Sequence, residues 1–311
     1  MNTGRSVRIC AAAALGAGII WGFLGLFVRE MSAAGFTPLQ MTCLRYVVVI
    51  AILGCWIFVK DRSLFRVCPR MLLFFAFVGV VGVALNSTCY FSSMERVSLS
   101  LATILQYFAP FYVVVMSIPI FGEKLTRTKA TAVVLAFAGC FLCTGLLTSP
   151  GTVDAVGIVF GLLSAVFFGT YTLGSRKARL KGYSVTTMLF YTSVACALFL
   201  APFCDLPSAV ATTSASWHNL ILLLGLGVLM TLLPFGLFNY SMGGLDAGTA
   251  AIITYIEPVA ATVVGLVAYG ENVTWEIAVG IVMVMAALLI LERRGLPSEE
   301  DGSELPERPE V

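Results

Sequence analysis

The sequence predicts an all-α integral membrane protein, with ten transmembrane helices arranged as two inverted five-helix repeats around a central cavity. Three observations carry that expectation. Of 311 residues, 59% are hydrophobic and only 12% are charged, with a mean hydropathy of +0.95. A soluble domain has roughly 45–50% apolar and about 25% charged residues, and no soluble core of this length hides such an excess of apolar surface. Second, the chain divides into apolar runs of spanning length. Third, its second half repeats the first at a spacing of 147 or 148 residues.

A spanning helix needs about 20 mostly apolar residues. Such runs fall at roughly 9–28, 38–59, 71–91, 98–120, 128–147, 154–174, 184–203, 218–240, 247–269 and 274–291. The first run follows Arg5 and Arg8, as a signal peptide would. It reads instead as a true span, being long for such a leader and having a counterpart in the second half. The connections are short and rich in Gly, Pro, Ser and charge, as in 35–38 and 148–151.

Charge placement sets the expected orientation. With the N-terminus inside, the inner segments hold Arg5, Arg8, Lys60, Arg62, Arg66, Arg70, Lys124, Arg127, Lys129, Arg176, Lys177, Arg179, Lys181, Arg293, Arg294 and Arg308. That is sixteen basic residues, against Arg29 and Arg96 outside, with Arg45 inside a span completing the nineteen. One missed helix would scramble this bias. Both termini are therefore expected in the cytoplasm and the protein in the inner membrane. The end of the chain, from Gly295, has six acids, one arginine and three prolines. The reading is a disordered, solvated acidic tail over 293–311.

Nine cysteines, mostly within apolar runs, suggest no secreted disulfide framework. Cys140 and Cys143 read as small packing residues, and His218, the only histidine, has no ligand partner in sequence. Neither a metal nor a cofactor is expected, and nothing points to nucleic acid.

The repeat is most visible in 105–123 and 254–271. Tyr107 and Tyr255, Pro110 and Pro258, Gly122 and Gly270, and Glu123 and Glu271 are each 148 positions apart. Trp21-Gly22 aligns with Phe168-Gly169 and Gly35 with Gly182, 147 apart; Tyr90 aligns with Phe238 and Thr126 with Thr274, 148 apart. The units are 1–147 and 148–292. Five helices per unit is an odd number, so the second unit enters the membrane from the opposite side. Inverted repeats are the architecture of alternating-access carriers, with the site near the midplane between the halves.

The carrying motifs are Tyr90 through Gly139 and Asn239 through Val279. Each has an aromatic before a tight hairpin, small residues opening the next helix, a proline within it, then Gly-Glu-x-x-Thr. With Tyr-Ile-Glu-Pro-Val at 255–259 and Arg45-Tyr46 in the second span, the sequence resembles the drug/metabolite transporter superfamily, in particular its ten-helix EamA-type carriers. The resemblance covers about residues 9–292. It implies a basket-like bundle with a central cavity, working as a secondary carrier, often an exporter. It does not name a substrate, since the family carries amino acids, nucleobase-like metabolites, drugs and others.

Inverted symmetry sorts the candidate residues. A motif present in both halves sits on opposite faces, so its default role is structural. The Gly-Glu pairs read as a helix end followed by a cap from Thr126 or Thr274, with the glutamate near the positive end of the next helix. Pro110 and Pro258 each remove one backbone bond and serve as candidate hinges. Tyr107, Tyr255 and Tyr90 can face the cavity in this symmetric frame.

Residues that differ between the halves are better candidates for the task itself. Glu257 stands where the first half has Ala109. Ten residues into its span, at ~1.5 Å each, it lies about 15 Å deep. A carboxylate there can exchange a proton or face a cationic group of a substrate; the plainer reading is a glutamate that holds its helix, at carbonyls freed by Pro258. Gln106, paired with Thr254, is a substrate hydrogen bonder or interhelical glue. Asn86 and Asn239 read first as bonds between helices. Trp21 and Tyr171 are packing aromatics, or walls for a planar metabolite. Arg45 either snorkels to the outer interface or captures a carboxylate, Glu257 included. Gly18-x-x-x-Gly22 and Gly157-x-x-x-Gly161 suit close helix packing, and leave monomer and homodimer both open.

No Gly-rich loop ending in Gly-Lys-Ser/Thr occurs, so energy must come from gradients. The expected function is movement of a small metabolite across the lipid bilayer, an amino acid or related compound exported downhill or with proton coupling through Glu257. Uptake, or export of drugs and toxic compounds, is the alternative within the class. A membrane-embedded enzyme lacks a nucleophile–base pair. A receptor or scaffold is opposed by the short outer loops.

Overall fold

The computed structural model describes residues 3–97, 99–143, 147, 154–269 and 274–293. The Gly270-Glu271 pair, the 148–153 connection and the acidic tail from 294 lie outside the described residues.

Ten helical columns carry the described chain. They are α1 (Val7–Ala33), α2 (Pro38–Lys60), α3 (Pro69–Met94), α4 (Leu101–Phe121), α5 (Arg127–Cys143), α6 (Ala155–Leu180), α7 (Val185–Phe203), α8 (Trp217–Ser241), α9 (Ala247–Ala268) and α10 (Trp275–Arg293). Eight are long and apolar enough to cross a membrane on those grounds alone. The other two, α5 and α10, are a symmetry pair and lie against each other: a Cβ on Gly139 would stand 2.7 Å from the Gly280 carbonyl. A short helix, Leu206–Ser214, joins α7 to α8.

Local chemistry starts and stops these helices. Thr37 and Gln40 form a capping box, with Pro38 in the first turn of α2. Asp154, Ser184, Ser216 and Asp246 cap α6, α7, α8 and α9. Gly35 and Gly182 follow α1 and α6 at φ 92° and 79°, a left-handed conformation that costs a Cβ-bearing residue energy. They are equivalent positions in the two repeats. Gly122 ends α4 the same way, at φ 69°. Helix α6 runs to Leu180, further than its apolar run, because Arg176, Lys177 and Arg179 are sound helix formers and suit the negative end.

The glycine ridges are consumed inside the protomer. Gly18 meets Thr254 and Ile256, and Gly22 meets Ala260. Gly157 meets Arg96 and Val97, and Gly161 meets Leu105. Outward faces are apolar, with Val59, Leu73, Leu198 and Val267 exposed, as lipid requires. Trp217 and Trp275 are exposed at helix starts, the level of an interfacial belt.

Several columns are not continuous α-helices. Helix α1 is interrupted at Phe23 and α4 at Tyr107–Phe108. Helix α9 tightens to a 3₁₀ turn at Thr254–Ile256. Both α3 (Val78–Leu85) and α8 (Val228–Leu232) contain π-helical segments, at equivalent places in the repeats.

Candidate functional site

Prolines place the breaks in α4 and α9. Pro110 and Pro258 have no N–H to give the carbonyls four residues back, those of Gln106 and Thr254. The helix therefore opens at 107–108 and tightens at 254–256. Two half-helices meet inside the bundle on each side, the arrangement that carriers of inverted repeats use for binding.

The breaks touch. The Tyr255 hydroxyl donates to the Tyr107 carbonyl at 2.5 Å, and the two rings lie edge to face, 5.8 Å apart. The bond is not reciprocated: the Tyr255 carbonyl accepts instead from the Cys140 thiol, at 3.7 Å. Cys140 and Cys143 thus face α9 and α10 separately, the latter toward the Ile277 carbonyl. Both are free thiols.

Glu257 opens the second half of α9 beside this junction. It is half-buried, and Tyr90, Tyr107 and Cys140 lie within electrostatic range. Among the described residues no basic side chain pairs with it. Tyr90 bonds Thr103 at 2.9 Å, bringing α3 to α4. Thr103, Gln106, Tyr107 and Tyr90 are half-buried as well. Like Glu257, they keep part of their surface exposed next to the two breaks. The Thr254 hydroxyl is spent on the Ala251 carbonyl, and its backbone lies against Gly18 of α1.

On one side of the breaks the two helices are packed together. There Val114 packs on Gly248, and Tyr112, Val113, Met116 and Phe121 of α4 pack on Ala247 and Ala251 of α9. On the other side the 101–106 part of α4 and the Glu257–Tyr269 part of α9 are not closely packed together.

A second group of candidates lies deeper. Trp21 sits among Phe168, Phe235 and Phe238, at centroid distances of 6.2, 5.2 and 5.6 Å. Tyr171 stacks on Phe168, and its hydroxyl accepts from Asn239 Nδ2 at 2.7 Å. Asn86 Nδ2 donates to the Ser164 carbonyl at 2.8 Å, linking α3 to α6. Asn239 is fully buried and Asn86 nearly so. Both asparagines thus bond between helices. A small pocket adjoins this group, lined by Tyr46, Val83, Tyr171, Thr192, Thr231 and Phe235 among others. Both π segments contribute to its wall, through Val83 and Thr231.

Arg45 departs from the expected snorkel. Its guanidinium turns into the bundle, toward the Ser87 hydroxyl at 3.4 Å. It forms no ion pair with Glu257 among the described residues. Ser87 offers a polar partner at the same level, which lipid does not.

Glu123 meets the first turn of the helix that follows it, through Lys129, and it also reaches across to the other repeat. Its Oε1 accepts from the Ala247 N–H, at the start of α9 in the other repeat, 3.1 Å away. Thr126 caps α5 through the Lys129 N–H, as expected. Lys129 is buried and bridges Asp246 at 3.0 Å and Glu123 at 3.7 Å. Burial, then the neighbouring Asp246, push the Glu123 carboxyl above its usual range, against the pull of Lys129. From the sequence Lys129 reads only as an inner-face charge, since a contact across 117 positions leaves no local signature.

The comparisons with known proteins agree with this architecture. A solved crystal structure superposes with a TM-score of 0.74 at 18% identity, covering 90% of this chain and 95% of that one. An uncharacterized transporter of Archaeoglobus fulgidus is 29% identical over 290 residues, 93% of this chain and 98% of the relative. The threonine/homoserine exporter RhtA of Escherichia coli K12 is 26% identical, with 78% and 76% covered. The pseudopaline exporter CntI of Pseudomonas aeruginosa is 26% identical, with 69% and 73% covered. The model of the EamA-like transporter family matches twice, at residues 8–145 and 155–293, once on each five-helix repeat. A helical bundle of two such repeats, apolar on its outer faces and broken at its centre, is a multi-pass membrane transporter, and the chain belongs to the EamA-like transporter family.

Proposed function

We propose that this transporter is a secondary exporter of an amino acid or related small metabolite, working by alternating access between its repeats, 1–147 and 148–292. One observation carries the reading. Glu257 lies half-buried at the break of α9, with phenol groups near it and no basic side chain paired to it among the described residues. A carboxylate in that place is costly without a cation. A proton or an ammonium group of the cargo supplies one, and Gln106, Tyr107 and Tyr90 offer hydrogen bonds beside it. The gating geometry supports the same reading: α4 and α9 pack tightly on one side of the breaks and stand apart on the other.

The likeness to two proteins named as exporters supports export over uptake. The sixteen-to-two bias of basic residues supports both termini in the cytoplasm of an inner membrane, with the packed end of α4 and α9 on the same side.

The test is counterflow in proteoliposomes, with threonine, homoserine and a panel of amines as probes. The expected result is saturable exchange of at least one amine-bearing probe, stimulated by a proton gradient. Absence of exchange for every probe, in protein shown to be folded, would sink the carrier reading.

A further inference from the structure

We propose that Glu123, Lys129 and Asp246 form a one-sided charge lock, which holds the transporter shut at the end of the bundle where they lie. The inference rests on the alternating-access reading. Its observations are separate from the cargo site.

The three residues come from both repeats. Lys129 is in the first turn of α5, Glu123 in the hairpin before it, and Asp246 caps α9. Lys129 and Asp246 are 8% and 9% exposed. Most of the polar atoms are engaged, while Glu123 Oε2 has only the Lys129 ammonium, at 3.7 Å, and no hydrogen bond. Lys129 Nζ bridges both carboxylates, Glu123 Oε1 takes the Ala247 N–H, and Asp246 Oδ1 takes the Thr249 N–H at 2.7 Å. The network sits directly over the packed contact of Val114 with Gly248. A transporter that opened at this end would have to part α4 and α5 from the start of α9, and so break it.

The opposite end cannot build the same lock. At the repeat spacing, Ile277 stands for Lys129 and Ser98 for Asp246. Only the carboxylate has a counterpart, Glu271. Inverted repeats would otherwise make the two ends alike in energy. A buried ion pair adds little net stability against water, but removing one partner leaves a charge stranded. Without Lys129, two carboxylates face each other in the closed state and are relieved only by opening to water. The lock therefore biases the rest state toward closure at this end, the state described here.

Hydrogen exchange read by mass spectrometry tests this without knowledge of the cargo. In the wild-type protein, Ala247–Ile253 is expected to exchange more slowly than 101–106 and Glu257–Tyr269, and the reverse order overturns the proposal; this arm requires no variant to fold. In Lys129→Met, exchange in Ala247–Ile253 is expected to rise about tenfold, while 101–106 and Glu257–Tyr269 become slower as the other end closes. Asp246→Asn, which keeps the helix cap, is expected to do the same, and Lys129→Arg to restore the wild-type pattern. A rise at the locked end without slowing at the other shows a packing contact and overturns the gate, as does no change. Failure of counterflow with the reciprocal pattern intact would count against the cargo reading and leave the lock standing.

Discussion

The Tyr255 hydroxyl donates to the backbone carbonyl of Tyr107, its own counterpart 148 residues earlier, and no equivalent bond returns. One repeat thus holds the other at the point where both broken helices meet. Tyr255→Phe leaves that carbonyl without its donor, at a cost of about 1–3 kcal/mol. Tyr107→Phe, whose hydroxyl bonds no described residue, should stay within about 0.5 kcal/mol. Thermal unfolding in detergent compares the two.

Glu257→Gln separates coupling from architecture. Flux driven by a pH gradient is expected to fall to background while counterflow of the cargo continues. If driven flux, counterflow and the yield of folded protein fall together, Glu257 is a structural residue.

The approach of α1 to α9 leaves no room at Gly22, where a Cβ would stand 2.5 Å from that of Ala260 and 2.9 Å from the Ala261 nitrogen. Gly22→Val should cost about 1–3 kcal/mol or more. Gly25, with nothing within 4 Å of its would-be Cβ, is the control. Gly25→Ala should be neutral or stabilising by up to about 1 kcal/mol through helix propensity. Melting temperatures distinguish them.

Pro110→Ala and Pro258→Ala each return an N–H to a broken helix, aimed at the carbonyls of Gln106 and Thr254. Stability is expected to rise by about 0.5–1.5 kcal/mol and the rate of counterflow to fall, because the halves of α4 and α9 then move as one. A variant that is both less stable and equally fast would show that the breaks are passive.

The Glu123 carboxyl, raised by burial and by Asp246, sets a pH dependence. Its folded pKa exceeds the unfolded one, so its contribution to stability is full below the ordinary carboxylate pKa. That contribution is lost as pH rises through the raised value. Glu123→Gln keeps the oxygen that accepts from Ala247. It should flatten this part of the stability profile, measured by unfolding between acid and neutral pH.

The fold was legible because membrane physics writes itself into composition. Apolar runs, a basic bias and a repeat spacing suffice for ten helices in two inverted units. Pro110 and Pro258 also signalled their breaks, since proline has no local substitute for its missing donor. The π segments did not, as VGVVGVAL in α3 and VLMTL in α8 hold no residue that an α-helix rejects. Nor did the direction of Arg45, which depends on Ser87 from another helix. The Lys129–Asp246 contact was hidden for the same reason: Asp246 Oδ1 caps α9 locally, but its contact with Lys129 is set by tertiary structure alone.

The π segments of α3 and α8 also bear on how the chain tolerates change in length. Each holds more residues per turn than an α-helix, and is equivalent to an insertion absorbed without a loop. Deleting one residue from 78–85 would let the ladder close as α. The residues after it would keep their phase, because the wider turn had taken up the extra residue. Tyr90 would stay on Thr103, and Asn86 near Ser164. The same deletion in an α stretch of either column would instead turn everything after it by about 100°. The two columns thus have matched places where the loss of one residue is tolerated.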